Sequence, residues 1–422
     1  MTIFKKIAVN LQIDLNKIYL VLAFALGVSI TISTALTNIF AVSLLLLFCF
    51  SGEYSSKLTL LKKFYIWPPM ALILLSIISS LYTPVDFSET LNWISKMYKL
   101  SLIWVIAYIC WRNHTTIKPL IIAFFTGVLL NLVAIYLNYY FLSAANAITF
   151  SSPTLPAAQS HFVTGFIFAV TSFMLFSTAI TVPNWKFKIF CITLGLITII
   201  AELGINTSRT GYLIEISVLI IGFFMKFRFK GLVAAIIILP TILITFYQIS
   251  PNFKARTNQA YDDTMGYFSG TATKGSAGLR LGFYNTAAGI FIYEPWRLFY
   301  GCGTGAQGQC SREFIEKEIA PQNKKYYHSI NNPHNQYAYF VMQSGIWALG
   351  IFIFWLIALF YYAKELPIIM RNNARILLIA FSVGCFVNSW VLDIGPGFIF
   401  CYLIPILFAQ KPKQVNTEDG CT

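Results

Sequence analysis

Hydrophobic residues along this chain fall into long runs separated by short polar segments. Most runs approach the roughly 20 residues that a helix needs to cross the hydrocarbon core of a bilayer. The pattern therefore predicts an all-α, polytopic membrane protein with about 12 transmembrane helices. The runs that begin at 100 and 397 are short, so these helices either start earlier, tilt in the membrane or form re-entrant segments. The number of spans could therefore differ from 12 by about one or two. The runs cover residues 18–34, 36–51, 65–82, 100–111, 119–142, 162–182, 189–205, 212–225, 231–249, 337–362, 376–392 and 397–409.

The composition indicates that most of this protein is embedded in a lipid membrane. Of the 422 residues, 57% are hydrophobic and 11% are charged, whereas roughly a quarter of residues are charged in soluble domains. The first hydrophobic run lacks a small-residue cleavage site, and further spans follow it, so we interpret it as an anchor and not as a cleavable signal peptide.

The formal net charge of +14 raises the alternative of nucleic-acid binding, but the basic residues alternate between the two sides of the predicted membrane. Short cytoplasmic connections carry the excess of Lys and Arg. We therefore expect no nucleic-acid partner, both termini in the cytoplasm, and a multi-pass protein of a bacterial inner membrane. The basic residues of the cytoplasmic connections are Lys5, Lys6, Lys17, Lys57, Lys62, Lys63, Arg112, Lys118, Lys186, Lys188, Lys226, Arg228, Lys230, Lys364, Arg371, Arg375, Lys411 and Lys413.

This topology divides the chain into three parts. Residues 1–249 contain the first nine spans, residues 250–335 form one long exterior loop, and residues 336–422 contain the last three spans and a cytoplasmic tail. A loop of that length is long enough to fold into a periplasmic subdomain, which we expect to be mostly helical. Because spanning helices without polar residues act as scaffold, function is expected where polar groups collect on the exterior side.

Arg209 lies in a tight exterior turn, 206–211, between the seventh and eighth spans. Short exterior connections usually lack positive charge, so Arg209 is either a snorkelling interfacial residue or a functional one. Glu202 and Glu215 flank it near or within spans, and we expect them to pair with neighbouring basic groups and so orient Arg209.

Arg280 lies in the long loop, where the spacing of residues 279–291 predicts an amphipathic helix after the stretch 275–278. This places Arg280 in the first turn. A cation is unfavourable at a helix N-terminus unless an anion meets it there, which favours a negatively charged ligand for Arg280.

A glycine run follows at 301–305, with glycine at Gly301, Gly303 and Gly305. Such runs either let main-chain amides approach a phosphate or form a structural turn, and the sequence leaves both interpretations open. Cys302 and Cys310 lie here in an oxidising environment and are candidates for a disulfide. Zinc ligation is the weaker alternative, because no Cys or His pair with zinc spacing stands near them.

His334 opens the tenth span, where Pro333 suits the first helical position and asparagine suits the cap. We therefore expect His334 in the first turn of that helix, at the exterior membrane surface. The positive end of the helix dipole disfavours imidazolium, so His334 is expected to be neutral, as a general base requires. A structural role is the alternative, and His161 and His328 are candidate exterior helpers.

Together these residues resemble the O-antigen ligase family of membrane glycosyltransferases. The motifs are Ser208-Arg209-Thr210 after a span, Gly278-Leu279-Arg280 in the long loop, the glycine run, and His334-Asn335 opening the next span. Gly345 follows at the family spacing, but Ala348 stands where the family usually has glycine, threonine or tyrosine. The related O-antigen polymerases and pilin O-oligosaccharyltransferases share several of these features.

The resemblance implies transfer of O-antigen polysaccharide from undecaprenyl pyrophosphate to a sugar hydroxyl of lipid A-core, with inversion and without metal or cofactor. Membrane lipids, the lipid-linked donor and the lipid A-core acceptor are the implied partners.

Arginines can neutralise a pyrophosphate leaving group. The exterior loop contains no Asp-x-Asp pair, and the adjacent Asp262 and Asp263 point apart on any regular element. We therefore assign catalytic roles to His334, Arg280 and Arg209, and substrate binding to Arg256, Lys274, Gly301, Gly303, Gly305 and Asn335.

Three alternatives remain at this stage. An O-antigen polymerase would use the same donor and base with a lipid-linked acceptor, although one long basic loop favours the ligase modestly. A pilin enzyme would usually carry a large C-terminal periplasmic domain. A lipid-linked glycan transporter would show ionisable residues near the middle of the membrane and two related halves, and we find no internal repeat.

Overall fold

A computed structural model describes residues 14–141, 158–271 and 275–409, so Lys274 lies outside the described residues. All regular structure in these ranges is helical. Eight helices there are long and apolar enough to cross a membrane, a ninth if the bent pair Thr34–Phe50 and Tyr54–Leu60 forms one span, and three more apolar helices are shorter. Each of the hydrophobic runs in the sequence corresponds to one of these helices, and the prediction of an all-α polytopic membrane protein is confirmed.

The first half of the chain forms the helices that precede the Arg209 turn. The short run at 100 does start earlier, because α5, a 3₁₀ turn and α6 together form the apolar segment Phe87–Arg112. The helices are α1 (Leu15–Ser29), α2 (Thr34–Phe50), α3 (Tyr54–Leu60), α4 (Trp67–Ser79), α5 (Phe87–Ser95), α6 (Ser101–Arg112), α7 (Ile117–Tyr140), α8 (His161–Thr181) and α9 (Trp185–Ile200).

The second half contains the long connection and the last three apolar helices. Ser250 caps α12 by accepting a hydrogen bond from the amide of Phe253, and Pro251 occupies the first position, so the chain leaves the membrane helix α11 and starts a new helix at once. The helices are α10 (Arg209–Phe227), α11 (Phe229–Ile249), α12 (Pro251–Ser269), α13 (Ser276–Tyr293), α14 (Arg297–Tyr300), α15 (Gln307–Glu318), α16 (Gln336–Tyr362), α17 (Ile368–Val387) and α18 (Ile394–Phe408).

The shortness of α18 is explained by its position inside the bundle. Every residue from Gly395 to Phe408 is buried, and Tyr402 donates hydrogen bonds to the carbonyls of Ala23 in α1 and Leu120 in α7. Because protein surrounds this helix, its length is not set by the thickness of the bilayer.

Helix α16 is interrupted at Gly345, whose backbone lies in a non-helical conformation with φ of 72°. Helix α14 approaches this break so closely that a Cβ on Gly345 would overlap the carbonyl of Phe299. The first part of α16, from Gln336 to Ser344, is therefore positioned by the loop segment and by α4, where Ser79 donates a hydrogen bond to Ser344 over 2.7 Å. This short part leads directly back to His334.

The break at Gly345 provides a test of the fold. We expect Gly345→Ala to destabilise the protein by about 1–3 kcal/mol, because a Cβ is strained at positive φ and the Phe299 carbonyl leaves it no room. The matched control is Gly350→Ala five residues further along α16, where an added Cβ meets nothing within 4 Å. Thermal unfolding in detergent should show a lower midpoint for Gly345→Ala and no loss for Gly350→Ala; equal midpoints would contradict this account of the break.

Candidate functional site

Arg209 is the first residue of α10, and a tight turn presents it at the end of the helical bundle. Helix α9 ends in a π-helical turn, Ala201–Ile205, which widens the backbone just before this segment. Ser208 then caps α10, since its Oγ accepts a hydrogen bond of 2.9 Å from the amide of Gly211. The positive end of α10 and the guanidinium of Arg209 therefore lie side by side.

Glu202 holds this turn through Asn206 and not through Arg209. The Nδ2 of Asn206 donates to Oε2 of Glu202 over 2.7 Å and to the carbonyl of His161 over 3.0 Å. Glu215 accepts instead from Ser172, over 3.1 Å. The expectation that these two glutamates pair with basic groups to orient Arg209 is therefore wrong: both are buried within the bundle and take polar neutral partners.

The carboxylate that does hold Arg209 is Asp263 of α12, with Nη1 and Oδ2 separated by 2.9 Å. The other carboxylate oxygen lies against Gly275, directly before α13, where a Cβ would overlap it. Asp262 is exposed, so the two adjacent acidic side chains point apart as expected. No local pattern in the sequence indicates this ion pair, because 54 residues separate its members.

Arg209 retains donors that no described residue satisfies. Its Nε and Nη2 are buried without a hydrogen-bond partner. A guanidinium has five N–H groups arranged to meet planar or tetrahedral oxyanions. Arg209 can therefore accept a second anion while Asp263 keeps the first contact.

Arg256 of α12 lies beside the same turn. Its Nε donates to the carbonyl of Thr207 over 2.8 Å, and its Nη1 donates to Gln259 over 2.9 Å. Burial lowers the pKa of Arg256, and the charge of Arg209 lowers it further. Two like charges are thus held together at the start of α10.

An apolar groove of about 510 Å³ runs from these two arginines along α10 and α11. Arg209 and Arg256 lie at its polar end. The apolar wall includes Tyr212, Leu213, Ile216, Leu243, Ile244 and Tyr247. The groove is therefore positively charged at one end and apolar along its length.

Arg280 belongs to α13 but occupies the second turn and not the first, because the helix starts three residues earlier than the sequence pattern indicated. Its Nη1 contacts Ser276 Oγ at 3.3 Å, and its Nε is buried without a partner among the described residues. Burial lowers the pKa of Arg280; Tyr284 opposes this effect, and the charge of Arg209 adds to it. Asp263 lies near the start of α13, against Gly275, but its ion pair is with Arg209. The buried Nε of Arg280 is therefore available to a ligand.

His334 does not lie in the first turn of the tenth span. Helix α16 begins at Gln336 with Asn335 as its cap, so His334 precedes the helix, with φ of 47° in the left-handed region. An Asx turn supports this strained backbone, because the amide of His334 donates to Oδ1 of Asn332 over 3.0 Å. Strained backbone of this kind often occurs at functional sites.

The imidazole of His334 stacks on Phe283, with ring centroids 6.0 Å apart. Burial lowers the pKa of His334, and the charge of Arg280 lowers it further, while a hydrogen bond with Asn388 acts in the opposite direction. Burial and the charge of Arg280 therefore favour the neutral ring that we expected. A neutral imidazole can accept a proton at one nitrogen.

Arg209 thus lies close enough for its charge to act on both Arg256 and Arg280, and Arg280 acts in turn on His334. We call these three arginines the arginine cluster. Asn335 contributes to the framework of the site: it caps α16 through the amide of Ala338, over 3.0 Å, and forms a hydrogen bond with Tyr284 of α13. His161 lies near Arg256 and Arg280, and His328 packs edge-on against Phe283.

The glycine run is buried, and its backbone forms hydrogen bonds with other segments of the protein. Gly301, Gly303 and Gly305 all have positive φ and are buried. The amide of Gly303 donates to Gln343 over 3.1 Å, and the amide of Thr304 donates to Ser79 over 3.3 Å. The interpretation of the run as a structural turn accounts for these contacts, so we leave the three glycines out of the proposed ligand site.

Cys302 and Cys310 are joined by a disulfide, with Cα atoms 6.3 Å apart. The bond connects the glycine run to α15. In the part of the chain that the structure describes, no group of three or more His, Cys, Asp or Glu side chains is arranged to hold a metal ion.

Residues 194–353 match a family model described as O-antigen ligase. The matched segment runs from α9 to the second part of α16 and contains the arginine cluster, Asp263 and His334. It confirms the resemblance of this chain to the O-antigen ligase family, and it supports a multi-pass membrane glycosyltransferase of the ligase and polymerase type. No curated protein matches the chain.

The effect of Arg280 on His334 can be measured without any substrate. We expect Arg280→Gln to raise the pKa of His334, because removal of the guanidinium charge stabilises imidazolium. Diethyl pyrocarbonate modifies neutral imidazole, so the pH dependence of His334 modification, read by mass spectrometry, reports this pKa. Arg256→Gln is the control, since Arg256 is not among the groups that act on His334. An unchanged midpoint in Arg280→Gln would contradict the proximity of the two groups.

Proposed function

We propose that this protein transfers O-antigen polysaccharide from undecaprenyl pyrophosphate to a sugar hydroxyl of lipid A-core, at the periplasmic face of the bacterial inner membrane. The observation that carries this proposal is the combination of buried arginine donors without partners among the described residues, an apolar groove that leads to them and a histidine whose pKa is lowered by burial and by Arg280. We further propose that both termini are cytoplasmic, as the distribution of Lys and Arg indicates.

The groove supports a donor that is an amphiphile with a long apolar chain and an anionic head. A polyprenyl chain lying along α10 and α11 would place its pyrophosphate beside Arg209 and Arg256, which form the polar end of the groove. The free Nε and Nη2 of Arg209 and the free Nε of Arg280 supply donors for phosphate oxygens. Charge-assisted hydrogen bonds of this kind are roughly twice as strong as neutral ones.

The reaction is then a single displacement at the anomeric carbon. His334 accepts the proton of the acceptor hydroxyl as its oxygen forms the new bond to that carbon. The bond from the carbon to the phosphate oxygen breaks, and undecaprenyl pyrophosphate leaves with the electron pair. Attack opposite the leaving group inverts the configuration.

The arginine cluster stabilises the charge that develops on the leaving pyrophosphate. Preorganised donors in a site with little water are the largest catalytic contribution in many enzymes. Arg209 and Arg280 belong to α10 and α13, and Arg256 holds the turn before Arg209 through the carbonyl of Thr207. Because arginines supply the positive charge, we propose that the transfer is metal-independent.

A polymerase would use the same donor site and base, so the acceptor decides between the two activities. We expect deletion of the gene to leave lipid A-core without polymer, with O-antigen accumulating on its lipid carrier. Gel analysis of lipopolysaccharide and extraction of the carrier lipid measure both species. Core that carries one repeat unit would indicate a polymerase instead, and unchanged long-chain lipopolysaccharide would exclude both activities.

Single variants test the assigned roles in the complemented deletion strain. We expect His334→Ala, Arg209→Ala and Arg280→Ala each to lower transfer by about 100-fold or more, the order of loss seen when a general base or a transition-state donor is removed. Arg312→Ala on α15 is the control, because Arg312 is exposed and lies outside the cluster. Membrane levels should match wild type in all four variants. Full activity of His334→Ala would remove this residue as the base.

A further inference from the structure

Asn388 lies between His334 and the turn that carries Arg209. It follows the last residue of α17 and is only 5% exposed. Its side chain contacts both Thr210 of α10 and the imidazole of His334. A buried amide with these two partners connects the general base to the residue next to Arg209.

The hydrogen bond from Asn388 to Thr210 bears on which atom of the amide meets the imidazole. Its Nδ2 donates to Oγ1 of Thr210, at 3.4 Å. The amide oxygen is on the other branch of the side chain and can accept a ring N–H of His334. The bond with Asn388 favours the protonated form of His334, which is the sign expected when the partner is an acceptor.

The next residue holds the backbone of the same histidine. Ser389 is fully buried, and its Oγ donates to Oδ1 of Asn332 over 2.6 Å. That same Oδ1 accepts the amide of His334. The segment after α17 therefore fixes both the backbone and the ring of His334.

We infer that Asn388 is a positioning residue for the transfer reaction, whose amide oxygen holds one ring N–H of His334 and leaves the other nitrogen free to take the proton of the acceptor hydroxyl. This inference rests on the proposed function. A neutral imidazole carries one N–H, and the partner of that N–H sets the tautomer and the ring orientation. Asn388 acts through His334 and contacts no reacting atom itself.

The test must allow for the other groups around the imidazole. Arg280 and Tyr284 reach this region from α13, Arg209 acts on Arg280 from α10, and His328 packs on the far side of Phe283. All of them remain in place when Asn388 is changed. A shift in the titration of His334 would therefore report the loss or the change of its Asn388 contact.

Asn388→Ala and Asn388→Asp should shift His334 in opposite directions. Alanine removes a contact that favours imidazolium, so the acidic limb of the profile of kcat against pH should move to lower pH. Aspartate adds a negative charge beside the ring, so the limb should move to higher pH. We expect kcat of Asn388→Ala to fall roughly 10- to 100-fold with a smaller change in KM, since a misoriented base costs about that much.

The assay uses the purified full-length protein in detergent, with lipid-linked O-antigen and lipid A-core extracted from the deletion strain. Modification of His334 by diethyl pyrocarbonate, followed against pH, gives the same titration without substrate. Asn373→Asp is the matched control, because Asn373 lies near the opposite end of α17. Thr210→Val should shift the titration in the direction of Asn388→Ala, and Thr210→Ser, which keeps the hydroxyl, should restore the wild-type profile.

The possible outcomes separate the inference from the proposed function. Opposite shifts in the two Asn388 variants, with an unchanged profile in Asn373→Asp, support the positioning role. Lower activity with an unmoved titration in both variants would overturn it and indicate a contribution to folding alone. Full activity of His334→Ala would overturn the proposed base itself, whatever the Asn388 variants show.

Discussion

The site depends on the repulsion among the three guanidinium groups of the arginine cluster. In the described part of the chain, Asp263 is the one carboxylate that forms an ion pair with them. Two unit charges 4 Å apart interact by about 4 kcal/mol at an effective dielectric constant near 20. Burial adds to the cost, as the lowered pKa values of Arg256 and Arg280 show. Such a cluster lowers the stability of the fold when no ligand is bound, and it favours the binding of an anion.

The same constraint accounts for the state of His334. The charge of Arg280 and the burial of the ring both oppose imidazolium. The neighbouring cation thus favours the neutral imidazole, which is the form that a general base requires. In the proposed reaction an anionic donor at the cluster would neutralise part of that positive charge and so raise the pKa of His334. The proposed function therefore implies that donor binding and base strength are coupled through Arg280.

The sequence predicted the membrane helices well, because a run of about 20 apolar residues has few alternatives. It also identified Arg209, Arg280 and His334 as a group, since the alternation of charge placed all three on one side. It missed Asp263 as the partner of Arg209 and Asn388 as the partner of His334. These contacts join residues 54 positions apart in both cases, and periodicity carries no information about which distant side chains meet.

The prediction for the backbone of His334 was wrong for a different reason. Proline followed by histidine and asparagine fits a helix start at Pro333, yet the helix begins three residues later, at Gln336, and His334 adopts positive φ. Local propensity was overridden by the Asx turn at Asn332 and by the contact of Ser389 with the same asparagine. In a similar way, the glycine run serves the packing of α4 and α16, a use that the sequence could not separate from phosphate binding.

The catalytic groups are positioned by two separate parts of the bundle. Arg209 and Arg256 are held by α8, α9 and α12 through the turn at Asn206. His334 is held by the first part of α16, whose position depends on α4, α14 and the glycine run. Asn388 contacts both parts, through Thr210 on one side and His334 on the other. In the proposed reaction the acceptor hydroxyl must meet both His334 and the sugar of the donor, so the relative position of these two parts would govern the transfer. A single buried amide, that of Asn388, contacts both of them.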